Sequence, residues 1–212
     1  MDSAKGFLAI FAPMILKRPS YKSFLLASVA TLLLAAVAPV AHAEDALIDE
    51  ARFGGVWQNP DFLDKNHPED NGVALSGEVF FTPFSDTDAR DMAFGDAVFA
   101  PRVVVGANIA LDGDHTSSVY SALAWQFGVT DAIFIEASFG LAANNGDIDG
   151  NATDTRAKYG SNILFRETLA LGVQITEQWN AVLEVEHQSH ASLFGDHNRG
   201  LTNLNVKLGY KF

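Results

Sequence analysis

The stretch Asn180-Ala-Val-Leu-Glu-Val-Glu-His-Gln-Ser-His-Ala191 decides how this chain is read. Side chains of a β-strand alternate between two faces. One face here is Ala181, Leu183, Val185, His187 and Ser189; the other is Asn180, Glu184, Glu186, Gln188 and His190. The first reads as the apolar outer face of a membrane strand, and the second as its polar inner face. A His and a Ser on a lipid-facing row are costly unless they act there. A base and a nucleophile presented to lipid suggest an enzyme whose substrate is a lipid.

Working outward, the same alternation recurs in segments of about ten residues, the signature of a membrane β-barrel. It predicts eight strands: Ala51–Gln58, Val73–Thr82, Arg102–Leu111, Val119–Val129, Ala132–Leu141, Asn162–Ile175, Asn180–Ala191 and Leu201–Phe212. The third shows the apolar row most plainly, with Val103, Val105, Ala107, Ile109 and Leu111. Thr130-Asp131 and Thr176–Trp179 read as tight turns. Asn59–Gly72, Asp112–Ser118, Asn144–Ser161 and Ser192–Gly200 are longer, polar and rich in Gly and Asp. Long and short connections alternate as they do at the outer and periplasmic ends of such barrels. Pro83–Pro101 breaks the rule, being long at a periplasmic position. The fold class is therefore all-β, an eight-stranded antiparallel transmembrane β-barrel over residues 44–212.

Charge placement separates this from a soluble eight-stranded barrel. With the apolar rows outward, Glu78, Arg102, Glu136, Arg166, Glu184, Glu186 and Lys207 point inward, where acids and bases can pair across a narrow lumen. With the sheet inverted, those charges meet water, and Glu167, His187 and Ser189 fall in a dry core. The ends of the chain favour the membrane version. Lys17, Arg18 and Lys22 flank an apolar, Ala-rich run that closes on Ala41-His42-Ala43, the pattern of a cleaved secretory signal peptide over residues 1–43. Tyr210-Lys211-Phe212 places aromatic residues at the periplasmic rim, and a terminal Phe resembles the signal read by the outer-membrane assembly machinery.

Composition narrows the function. Four of the 14 bases and one of the 26 acids precede Glu44, so the remainder carries 10 bases and 25 acids, net −15. Such a chain repels nucleic acid. It has no Cys, hence no disulfides and no thiol chemistry. The six His residues lack zinc-type spacing. Asp147, Asp149 and Asn151 alternate like the start of a calcium loop, but Ala152 stands where that loop needs Gly and no Glu closes it, so a solvated loop is expected. No metal and no cofactor are expected.

Residues i and i+2 of a strand lie ~6.6 Å apart and point the same way, so the imidazole of His187 and the hydroxyl of Ser189 can meet. An adjacent imidazole can take the serine proton and later return it to a leaving alcohol. Three segments, Glu186-His-Gln-Ser-His-Ala191, Asn198-Arg-Gly-Leu201 and Leu208-Gly-Tyr-Lys-Phe212, together resemble the PagL family of lipid A deacylases. That resemblance implies an eight-stranded outer-membrane barrel that removes the ester-linked acyl chain at the 3-position of lipid A, with lipid A or lipopolysaccharide as its partner. It implies His187 as general base, Ser189 as nucleophile and Asn198 at the oxyanion site, with His190 and Ala191 completing the substrate-binding motif. Two positions depart from the family pattern. His190 replaces an Asn that often follows the Ser, and the acid that orients the His falls near Thr202, which is no carboxylate.

Glu167 can substitute for that acid. It interrupts the outward row Ile163, Phe165, Leu169, Leu171. A three-residue turn at Glu177–Trp179 would pair position 176 with 180, setting Glu167 opposite Ser189 and diagonal to His187, within reach of a long side chain. The alternative is a bulge that turns Glu167 inward toward Arg102 or Lys207. Two other functions remain open: a non-enzymatic barrel, structural or adhesive, and a small-solute porin, although an eight-stranded lumen is normally filled by side chains.

Overall fold

The computed structural model describes residues 48–63, 69–82, 94–148, 156–193 and 197–212. The expected signal peptide lies outside them. Eight strands close into an antiparallel barrel in which each pairs with its neighbours in sequence and the last pairs with the first. They are β1 (Ile48–Gln58), β2 (Gly72–Phe81), β3 (Arg102–Ala110), β4 (Ser118–Gly128), β5 (Ile133–Asn144), β6 (Ile163–Gln174), β7 (Trp179–Ser189) and β8 (Leu201–Lys211). One short helix, α1 (Phe94–Phe99), precedes β3. Closure removes every free sheet edge, as a barrel in lipid requires.

The apolar rows face outward and the charges inward, so the inverted arrangement is not the one adopted. Leu169, Leu171 and Val173 are exposed on β6, while Arg166 between them and the loops is buried. All seven residues expected in the lumen are buried there, joined by Glu50 and Arg52. Glu50 escaped the sequence reading because β1 begins three residues earlier than expected, at Ile48; Arg52 lies inside the expected strand, where Gly54 and Gly55 weaken the alternation that would mark its face.

The lumen holds two linked ion clusters. Toward the chain termini, Arg52 bonds Glu50 and Glu136, each at 2.7 Å. Arg102 bonds Glu50 at 2.6 Å, Asp49 at 2.8 Å and also Glu136. Both guanidinium groups stack on the Phe80 ring, 4.2 and 4.3 Å from its centre. Further along, Lys207 sits 2.8 Å from both Glu78 and Glu184, and Arg166 bonds Glu186 at 2.7 Å. The side-chain amides of Asn108, Gln188 and Asn203 also donate to Glu186. Burying a charge costs several kcal/mol, an expense that multiple partners of good geometry offset. Side chains thus fill the lumen, which removes the physical basis for the porin reading.

One register differs from expectation. In the β6–β7 hairpin Gln174, not Thr176, pairs with Asn180, which shifts the ladder by two residues. Thr176 stays in the turn because its hydroxyl accepts the backbone N–H groups of Gln178 and Trp179, at 3.3 and 3.0 Å. The shift sets Glu167 directly opposite His187, and Phe165 opposite Ser189. Glu167 is exposed on the outer face, so no bulge turns it inward.

The end of the barrel with the longer connections is braced by one buried acid. Asp70, in the β1–β2 connection, accepts the N–H of Thr116 at 2.8 Å, the N–H of Ala157 at 2.8 Å and the hydroxyl of Tyr159 at 2.6 Å. It thereby ties together the β1–β2, β3–β4 and β5–β6 connections. Burial, and then the Asp70 charge, hold the Tyr159 phenol well above its usual ionisation range. Asp147 of the supposed calcium-like run forms an isolated bridge with Lys158; Asp149 and Asn151 lie outside the described residues.

Candidate active site

The candidate site lies on the outside of the barrel, where three strands approach the long-connection end. His187 and Ser189 are half-buried on the outward row of β7. Strand pairing brings Glu167 of β6 and Thr202 of β8 to either side of the imidazole. Directly opposed residues in an antiparallel ladder have Cβ atoms ~4.5–5.5 Å apart. The ring is not loose between them: Nδ1 of His187 lies 2.9 Å from Oγ1 of Thr202. With its proton on Nδ1 the ring donates to the threonine hydroxyl, and Nε2 is left as the free base. Among the described residues no hydrogen bond yet joins His187 to Ser189 or Glu167. Catalytic hydrogen bonds are often long before substrate binds.

Gly200 makes room for the ring. Its φ of +69° is in the left-handed region, and a Cβ there would lie 3.0 Å from Cε1 of His187. A side chain at this position would meet both backbone strain and the imidazole.

Past Ser189 the strand ends because Ala191 and Ser192 adopt φ of +52° and +60°. The following connection returns Asn198 beside the site. Its Oδ1 accepts the backbone N–H of His190 at 3.1 Å, which leaves the Nδ2 group as the amide's available donor. The His190 ring itself lies on the inward face, fully buried, with Nε2 2.6 Å from the His197 carbonyl oxygen. Parity of the strand places it opposite to Ser189, so its link to the site runs through the backbone. Ala191 is exposed at the start of the connection.

The brace around Asp70 extends to this group. Gly160, φ +71°, packs so closely on the His197 carbonyl that a Cβ would stand 2.1 Å from it, and the N–H of Arg199 reaches the Lys158 carbonyl at 3.3 Å. The residues on either side of Asn198 are thereby held against the β5–β6 connection. Sequence reasoning missed Thr202 as a partner, having weighed it only as an absent carboxylate. Its position opposite His187 was within reach of cross-strand parity. The brace had no such signal, since Asp70, Tyr159 and Gly160 read as ordinary loop residues. Among the described residues no cluster of His, Asp and Glu is arranged to hold a metal ion.

The fold is similar to the crystal structure of the outer membrane enzyme PagL, at 17% sequence identity and a TM-score of 0.53, over 78% of this chain and 99% of that one. It is also similar to the N-terminal β-barrel domain of Pseudomonas aeruginosa OprF, at 13% identity and a TM-score of 0.48, over 77% and 98% of the two chains. Among curated proteins no relative matches. The family model for lipid A 3-O-deacylase (PagL) matches residues 104–211, from β3 through the last residue of β8. This outer-membrane β-barrel belongs to the PagL family of lipid A 3-O-deacylases.

Proposed function

We propose that the protein is an outer-membrane esterase that hydrolyses the 3-O-linked acyl chain of lipid A by a Ser–His mechanism. The observation that carries this reading is the outward-facing His187–Ser189 pair with its imidazole already bonded at Nδ1, in a chain of this family. Nε2 of His187 takes the Ser189 proton as Oγ attacks the acyl carbonyl. Asn198 Nδ2 donates to the developing oxyanion; such a donor is typically worth ~3–4 kcal/mol in the transition state. As the tetrahedral intermediate collapses, the acyl carbon–oxygen bond breaks and the proton passes from His187 to the sugar oxygen. Water, activated by the same imidazole, then releases the fatty acid from Ser189. The lipid-facing row beside the pair, including Phe165 and Phe139 stacked at 5.9 Å, lies along the acyl chain. Ala191 and the His190 backbone border the bound ester.

Orientation of the base is divided between two strands. Thr202 holds the ring from β8 and accepts from Nδ1–H in the tautomer that leaves Nε2 basic. Glu167, opposite on β6, orients and stabilises the ring by charge once it becomes an imidazolium. A hydroxyl can fix a ring but cannot balance its charge, and a carboxylate across the strand can. Residues 1–43 direct export and are removed, and the outer-membrane assembly machinery inserts the barrel by its C-terminal strand.

The test is mass spectrometry of lipid A after incubation with refolded protein, wild type beside Ser189→Ala. Loss of one hydroxy-acyl mass with wild type alone is expected. The absence of a carboxylate at Thr202 favours a second reading, a non-catalytic barrel of the same family. No loss with either protein, both heat-modifiable on a gel and so folded, would establish that one.

A further inference from the structure

Pro83–Pro101 is the long connection at the end where short turns are expected, and its helix α1 lies against β4. The contact is on the outside of the barrel. Leu123, Trp125 and Phe127 form the outward row of β4, alternating with buried Ala122, Ala124 and Gln126. The indole Nε1 of Trp125 donates to the Val98 carbonyl at 3.0 Å. This bond satisfies one of the carbonyls left open at the helix end. It also pairs two polar groups that would be costly to leave unmet near hydrocarbon. Ala97 is buried, whereas Val98 is exposed and Phe99 is 86% exposed, the largest value among the exposed large hydrophobic residues described.

The height of the contact gives this exposure a meaning. Trp125 stands three residues before Gly128, the last residue of β4. With ~3.3 Å per residue and a tilt of about 40°, it lies roughly 7–8 Å inside the rim. That is the level of an aromatic girdle. The same end carries Trp179, Tyr210 and Phe212, packed edge to face with centres 5.0 and 5.3 Å apart. The exposed face of α1 thus stands at the same end of the barrel as these aromatic residues, beside the outward row of β4.

We propose that α1 is an interfacial anchor. It seats Val98 and Phe99 in the inner-leaflet phospholipid boundary and is tied to the barrel wall by Trp125. An anchor at this end fixes the height of the barrel in the bilayer, independently of any catalysis at the other end.

The chain contains no Cys, so single-cysteine labelling is direct. Nitroxide labels at Phe99→Cys and, separately, Val98→Cys would be read by power-saturation electron paramagnetic resonance in phosphatidylethanolamine–phosphatidylglycerol vesicles. Leu169→Cys on the lipid-facing row and Asp114→Cys in an exposed connection calibrate the two environments. Both helix labels should be more accessible to oxygen than to an aqueous nickel chelate, as at position 169. Chelate accessibility matching position 114 at both sites would overturn the anchor. So would spin–spin broadening that reveals contact with a second copy. Trp125→Phe should shift the label at 99 toward the aqueous profile; an unchanged profile would remove Trp125 from the anchor.

Discussion

Thr202 shows how one atom changes the reading of a site. A hydroxyl bonded to Nδ1 can orient the ring and accept from Nδ1–H while Nε2 stays basic, although it cannot neutralise the imidazolium that forms later. Two substitutions separate these tasks. Thr202→Val removes the bond at nearly constant volume and is expected to lower kcat about tenfold, corresponding to roughly 1.4 kcal/mol, with Thr202→Ser recovering most of it. Glu167→Gln should also lower kcat by about tenfold, with little change in KM, because the charge acts only when the ring is protonated. If Glu167→Gln leaves turnover untouched while Ser189→Ala abolishes it, Glu167 has no part in the reaction. Gly200→Ala brings a Cβ to 3.0 Å from the imidazole at a positive φ. Deacylation should fall at least tenfold, with a barrel that still folds and shifts on a gel; unchanged turnover would mean that the ring has room to move.

At the scale of elements, the connections at the outer end behave as one body around Asp70. The carboxylate accepts from two backbone N–H groups and a phenol, and Asp70→Asn would put an amide donor where only acceptors fit. The expected result is faster amide hydrogen exchange in residues 156–160 and 197–200, reduced activity through a displaced Asn198, and barrel strands as protected as before. Unaltered exchange in both connections would show that the brace is held by something else. The turn joining β6 and β7 makes the complementary point. Its hydroxyl cap decides whether Glu167 faces His187 or Ser189, so a device more than 20 Å along the strands sets a pair in the site, at ~3.3 Å per residue over seven residues.

For the whole molecule, stability resides in a polar interior surrounded by an apolar wall. Lys207 sits between Glu78 and Glu184. Lys207→Met would leave those acids with Arg166 as their remaining cation nearby. Breaking a buried network in this way is expected to destabilise the barrel by about 3–5 kcal/mol, read as a lower urea midpoint for unfolding from detergent or lipid. A midpoint within error of wild type would indicate that water enters the lumen and replaces the lost partner. Outward substitutions of similar size, such as Leu171→Ala, should cost much less, because lipid fills the space left behind.

The sequence by itself determined the class of fold, the facing of the strands and the position of His187 and Ser189. Each follows from an alternation confined to a single strand, which the pleat enforces wherever the strand is placed. Seven of the lumen charges were legible for the same reason, while Glu50 was missed with the unrecognised start of β1 and Arg52 beside the two glycines that blur its strand's alternation. Tertiary structure alone decided the pairings: Glu167 against His187, Thr202 on Nδ1, Asp70 beneath three connections and α1 on the barrel wall. Those depend on register and closure. A two-residue slip keeps every side chain on its face yet changes every partner, so periodicity is blind to it. Turn caps and packing between distant segments settle the register, and no local stretch of sequence contains both sides of such a contact.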